Sequence, residues 1–420
     1  GERSSPDRRQ YIYERQTNGD FVFYNQGKAN RRFNETEDDV ESLGTDLEFP
    51  VLDSDQWNLS LQTGASTYSQ DRESRTKRFS FETQNNPDIS QPPEVLLDPA
   101  NVGDTLEANN ETQTNDNYLG TAEVDGTYFK FDVDWADTLR LMAGLRREDA
   151  AFEVTTFVAG GSAGPQAVAG GFDKSHTLPA ASLTWKFLED MQARASVSST
   201  ISRPVLNELS PARYYDPESG EEYLGNPGLE PAQIDSLDLR WEWYPTSQES
   251  LSLGFFSKDY TDPIEQSFVA VGGSSFLRQV QNAAGATVSG FEASARVGLD
   301  RLTAPLGLDA VWTRNSYIQT NASFIDSNVE LEQQDLATNA ERPLQGQADS
   351  VYNLQVGYEG ERQDINLSFN LVGERLHLTG VQGLPDVYQQ PVPQLDFNYS
   401  YQWTDAFKTK FSAGNILDPT

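Results

Sequence analysis

Few side chains in this sequence have the type and spacing that site chemistry needs. The only histidines are His176 and His377. They fall on different predicted hairpins, so spacing gives no support to a Ser/His/Asp arrangement. No phosphate-cradling loop and no dinucleotide fingerprint occurs. Gly160-Gly161 and Gly170-Gly171 read as parts of one flexible Gly-rich loop over about 158–175. Asp216, Glu218, Glu221 and Glu222 crowd one loop; carboxylates so placed could hold Ca²⁺, but the calcium-loop spacing is missing and the run reads as a solvated face. Arg72, Arg75, Lys77 and Arg78 form a basic cluster, suited to an anionic ligand or lipid phosphate, or to ion pairs with acids at a rim. Tyr214, Tyr215 and Tyr223 remain. Their rings could stack on a ring of a ligand such as a sugar, or pack the loop that carries them onto its neighbours. These three are the expected substrate-binding residues. No catalytic residue, metal site or cofactor is expected, and the chain is not read as an enzyme.

The elements that must position these residues are strands. Leu237, Leu239, Trp241 and Trp243 fall on one face of a strand, and Asp238, Arg240, Glu242 and Tyr244 on the other, because side chains alternate with period two. The same alternation marks Trp57-Leu59-Leu61, Thr127 to Trp135, Leu139 to Leu145, Tyr352 to Tyr358, Ile365 to Leu371 and Leu395 to Trp403. Further strands are predicted at about 176–187, 191–203, 233–244, 250–260, 284–298 and 306–319. A strand within Asn30 to Pro50 carries an acidic run, and Tyr11, Tyr13, Phe21 and Phe23 could form a small hairpin before it. Ala136-Asp137, Leu188 to Asp190, Pro245 to Glu249, Gly360 to Arg362 and Thr404-Asp405 are short turns. Glu82 to Asn117, 204–232, 261–283, the stretch up to about 349, and 374–393 are long polar connections.

Connections thus alternate short and long. Aromatic residues crowd the strand ends beside the short turns: Trp135, Trp185 with Phe187, Trp243 with Tyr244, and Trp403 with Phe407. Strands of ten or more residues, short turns at one end, long loops at the other and aromatic girdles are the pattern of a transmembrane antiparallel β-barrel. A soluble sandwich or propeller also alternates, but its strands run to about 5–6 residues and its loops do not sort by length. The expected fold class is all-β, a transmembrane antiparallel barrel with about 14 strands in this chain, short periplasmic turns and long extracellular loops.

Composition agrees. Of 420 residues, 64 are Asp or Glu and 31 Lys or Arg, a formal net charge of −33 that argues against a nucleic-acid partner. There is no Cys, so neither a disulfide framework nor a thiolate metal site exists. No apolar run is long enough for a membrane helix. The mean hydropathy of −0.60 would suit a water-soluble protein, but in a membrane barrel only alternate residues face lipid.

A series of short segments, in order, resembles the C-terminal barrel region of TonB-dependent outer-membrane receptors. They are Ser202-Arg203-Pro204, Glu208-Leu209-Ser210-Pro211, Gly225-Asn226-Pro227 with Leu229, and Asp238 to Tyr244. Glu249 to Ser252, Gly254 to Lys258, Asp262 to Glu265, Gly290-Phe291-Glu292, Arg342 to Gln347 and Asn415 to Asp418 follow. The resemblance implies location in the bacterial outer membrane, contact with its lipid, and active uptake of a scarce substrate energised by the TonB complex acting on a plug. Family receptors close with about 22 strands, so residues 1–420 are expected to be one barrel domain lacking the plug, the N-terminal strands and the last strand. Family substrates include ferric siderophores, cobalamin, nickel chelates and oligosaccharides; a siderophore or an oligosaccharide is preferred. Two rival readings stay open: a passive outer-membrane channel or adhesin barrel, and a soluble β-rich carbohydrate-binding or hydrolytic protein with a carboxylate pair in a groove.

Overall fold

Alternation of apolar and polar side chains dictates a sheet with one face for each. The computed structural model describes all residues except 1, 5–7, 11–12, 18–19, 24–28, 114–115, 158–168, 217–220, 273–274, 308–309, 332–336, 340, 381–382 and 418–420. Its main sheet has 18 strands. Fourteen are long wall strands: β1 Ala29–Asp53, β2 Trp57–Thr83, β3 Tyr118–Trp135, β4 Leu139–Thr156, β5 Ala169–Leu188, β6 Met191–Ser202 and β7 Ala232–Thr246, then β8 Glu249–Thr261, β9 Gly285–Gly298, β10 Ser316–Glu330, β11 Ser350–Glu359, β12 Gln363–Val372, β13 Val392–Thr404 and β14 Phe407–Ala413. Each wall strand pairs antiparallel with the next. Among the described residues no pairing joins β1 to β14, so the wall is a partial barrel.

The ladder registers carry single rows of one character across the wall. Leu59, Val133, Leu141, Leu183, Ala195, Leu239, Phe255, Phe291 and Phe324 are successive partners from β2 to β10. Most of these large apolar side chains are exposed. One residue along, Asn58, Asp134, Arg140, Thr184, Arg194, Arg240, Gly254, Glu292 and Ser323 are partners on the opposite face. There Arg140 grips Asp132 through two bonds of 2.6 and 2.9 Å, and Arg194 and Arg240 both reach Glu242. A one-residue slip would exchange the two faces, so the pattern fixes the register. Apolar outside and polar inside is the arrangement of a barrel in lipid.

The alternating strands stand close to where the pattern predicts them. The acidic stretch after Asn30 is a strand, and Tyr13–Arg15 pairs with Phe21–Phe23 as a small hairpin; Tyr11 lies outside the described residues. Three expectations are corrected. The strand expected at 306–319 is displaced: short helical turns stand at Leu299–Thr303, Ala304–Leu306 and Val311–Arg314, and β10 begins at Ser316 and runs on to Glu330. Pro305, with no N–H to give a ladder, suits a helix start instead. The Gly-rich connection ends at Ala169, where β5 begins. The long connections are structured: residues 82–117 hold a helical turn and a strand, and 374–393 hold the hairpin Arg375–Leu378/Val387–Gln389.

Candidate functional site

At the long-loop end, four connections fold into a crown, and their apolar residues explain how. The connection after β6 dips onto the polar, inner face of the wall. Its helical turn Leu206–Leu209, with Leu229 and with Val280 of the next connection, packs on Tyr118, Ala122, Ala150, Val154 and Phe172 of β3, β4 and β5. The Glu208 carboxylate accepts from Val205 N–H at 2.9 Å and holds the helix entry; burial pushes its pKa up. Approach is close enough that a Cβ at Gly170 would lie 2.7 Å from Leu209 O and from Pro227 Cβ, so only Gly fits. Gly170-Gly171 therefore serves packing.

Two units result. In the first, Arg213–Asp216, Glu221–Leu224, Ser275–Asn282 and Ile264–Gly272 form a four-stranded sheet, with Tyr223 paired to Arg278 in parallel. In the second, the 331–349 connection and the 375–389 hairpin hold together through Gly346 N–H to Leu376 O at 2.8 Å and Thr338 N–H to Gly380 O at 2.9 Å. The units meet where Arg342 and Gln345 of the second reach Glu265 and Gln266 of the first. Arg342 Nη1 lies 2.9 Å from Glu265 Oε2, with the two side chains 1% and 9% exposed. Gln345 Nε2 donates to Gln266 Oε1 at 2.9 Å and to His377 O at 2.6 Å. Burial pushes the Glu265 carboxyl up in pKa, and Arg342 offsets this only in part.

Between the units lies a cleft of about 680 Å³, within the range of small-molecule sites. Ile264 and Leu378 give it apolar surface, backed by the buried Tyr223 and Leu376. Gln266, Gln345 and Gln389 give amides, and Arg375 and His377 give basic groups. Arg375 Nε donates to Gln389 Oε1 at 2.7 Å. Amides that both donate and accept, beside apolar faces, suit a ligand rich in hydroxyl or carbonyl oxygens.

The structure places the sequence candidates as follows. Tyr223 is buried and lines this cleft. Tyr214 and Tyr215 stand on the adjoining strand, with Tyr214 opposite Tyr223. His377 lines the cleft, while His176 stands on β5 opposite Glu148. Of the acidic cluster, Glu218 lies outside the described residues, as does Gly160-Gly161. Three of the four basic residues carry acid partners: Arg72 with Asp38 at 2.6 Å, Arg75 with Glu73 at 2.6 Å and Arg78 with Asp116 at 2.9 Å. They are rim ion pairs. Sequence reasoning missed Glu265, Gln266 and Gln345 as cleft residues. Glu265 and Gln345 stood in Asp262 to Glu265 and Arg342 to Gln347, segments read only as marks of resemblance, and Gln266 follows the first of them.

Comparison with known proteins agrees with this architecture. Residues 3–416 match the family described as TonB dependent receptor-like, beta-barrel. The fold is similar to the ferric citrate transporter FecA in its unliganded form (TM-score 0.61, 11% identity, 95% of this chain and 52% of that one). It is also similar to the copper transporter OprC (TM-score 0.59, 15% identity, 93% and 52%) and to the ferric yersiniabactin uptake receptor FyuA of Yersinia pestis (TM-score 0.57, 13% identity, 95% and 51%). The chain spans about half the length of these structures. No curated protein matches it by sequence. The chain belongs to the family of TonB-dependent receptor-like β-barrels.

Proposed function

We propose that this chain is the wall and part of the outer crown of an active uptake receptor in the bacterial outer membrane. The observation that carries the reading is the crown cleft: it opens at the long-loop end of a wall whose outward face is apolar and exposed. The apolar rows give the wall its place in lipid, and the cleft gives a first binding station on the outside. Energy would come through TonB acting on a plug domain, as in the family.

The substrate is a small, oxygen-rich molecule, an oligosaccharide or a siderophore. Ferric citrate, ferric yersiniabactin and copper are handled by proteins of similar fold, so the fold admits both chelates and ions. The amides of Gln266, Gln345 and Gln389 beside Tyr223, Leu376 and Leu378 favour hydroxyl and carbonyl groups over a bare ion. The tyrosines Tyr214, Tyr215 and Tyr223 belong to the unit forming one side of this station.

The test is equilibrium binding of a panel of oligosaccharides and ferric siderophores to the full-length receptor in detergent, with Gln266→Ala and Gln345→Ala as comparisons. One class should bind, and both substitutions should weaken it at least about tenfold, the loss of a hydrogen-bonding pair in a desolvated site. Binding that ignores both substitutions would remove the cleft from the account.

A further inference from the structure

The six wall tryptophans gather at one end. Trp57, Trp135, Trp185, Trp241, Trp243 and Trp403 all stand near the short turns and on the apolar face. Trp57, Trp135, Trp185 and Trp241 share a single ladder row, and Trp57 stacks on Trp135 with centroids 5.9 Å apart. The chain has seven tryptophans. The seventh, Trp312, lies in the connection between β9 and β10, which leaves the wall at the same end: Gly298 pairs with Tyr317.

That connection is unlike the other turns at its end. It is long and helical. Helical turns satisfy their own backbone, as in Gly307 N–H to Ala304 O at 3.0 Å and Thr313 N–H to Ala310 O at 3.0 Å, which is what a segment entering lipid needs. It is tied to the wall by Arg301 Nε to Glu249 Oε1 at 3.1 Å and by Ser316 Oγ donating to Trp312 O at 2.7 Å. Yet Leu302, Leu306, Val311 and Trp312 are between 51 and 74% exposed. Four large apolar side chains left in water on a segment fixed to the wall need a cover.

We propose that residues 299–307 and 310–314 are an interfacial anchor. It lies in the headgroup–acyl boundary of the leaflet on the turn side, with Leu302, Leu306, Val311 and Trp312 in phospholipid. Continuity identifies the occupant: the apolar face of the wall runs through Val297 and its partner Ile318 to the ends of this segment, and the tryptophan row marks the same end as an interface. Asp300 and Arg301 supply the polar side that such a segment turns to headgroups and water. The inference rests on the membrane-spanning reading given under Proposed function.

This chain has no Cys, so once any cysteine elsewhere in the full-length receptor is replaced by Ser, single labels give a direct test. Single variants Leu306→Cys, Phe129→Cys in the apolar band and His377→Cys in the crown are made in the full-length receptor and labelled with an environment-sensitive fluorophore. Each is reconstituted into phosphatidylethanolamine–phosphatidylglycerol vesicles. The account predicts that the Leu306 label is blue-shifted, is quenched by nitroxide carried near the lipid headgroup, and is shielded from iodide, while the His377 label is quenched by iodide. If the Leu306 label is as open to iodide as the His377 label while the Phe129 label stays shielded, the anchor is overturned and the barrel stands. Shielding of Leu306 from both quenchers assigns the surface to a protein and also overturns it. Iodide access at Phe129 removes the membrane reading, and the anchor with it.

Discussion

Arg342 and Glu265, 77 residues apart in sequence, close on each other at 2.9 Å in the interior of the crown and join its two loop units. The contact sits beside the cleft, so whatever loosens it changes the shape offered to a ligand. A buried pair is weak support for stability as such, but breaking it on one side leaves a buried charge without compensation.

Arg342→Ala should therefore destabilise the crown locally by about 3 kcal/mol. Hydrogen exchange should quicken in 263–282 and 341–346, with the wall strands unchanged. Equal protection in wild type and variant would show that the contact does not join the units.

The pH dependence has a definite sign. Burial raises the folded-state pKa of Glu265 above its unfolded value. Its contribution is then complete below the unfolded pKa and is lost as pH rises through the folded one. Crown protection, corrected for intrinsic exchange rates, should fall from acid pH toward neutrality, and Glu265→Gln should flatten that slope. A crown that gains protection as pH rises would reverse the assignment.

Leu209 is fully buried between the crown and the wall. Leu209→Ala should cost about 2–5 kcal/mol, the range for a core leucine, and should expose the 203–231 connection to protease. The barrel itself should still migrate as a heat-modifiable species in gels. Loss of heat modifiability would mean that this core supports the wall rather than the crown alone.

Phe129 and Asn366 stand on opposite faces of the wall. Phe129→Arg should destabilise the folded protein in lipid vesicles by about 2–4 kcal/mol, as for a charge near mid-bilayer, whereas Asn366→Arg should change it little. Urea titrations of the reconstituted protein measure both. Equal costs would contradict the assignment of faces.

Legibility in the sequence followed the physics of each segment. Where one face meets lipid and the other water, as in Leu237 to Tyr244, the period-two pattern placed strand and face. The first wall strand was faint through Glu35 to Glu41 because both of its faces there are polar and alternation carries no signal. Leu306 to Val311 misled because a short apolar run fits helix or strand equally. The crown was legible as loops but not as a core: Leu206, Leu209, Leu229 and Val280 are scattered, and their partners lie on strands up to about 160 residues away. Tyr223 stood out by type. Gln345 did not, because an amide is placed in a cleft only by the surface that folds opposite it.

The most direct test of the central claim is uptake by intact cells. Labelled oligosaccharides and ferric siderophores are supplied at limiting concentration to wild-type cells, to cells lacking this receptor, and to cells lacking TonB. The account predicts that uptake of one of these ligands is lost in both deletions and returns with the wild-type receptor but not with Gln345→Ala. Uptake that persists without TonB yet still requires this protein would contradict active transport and leave a passive channel in its place.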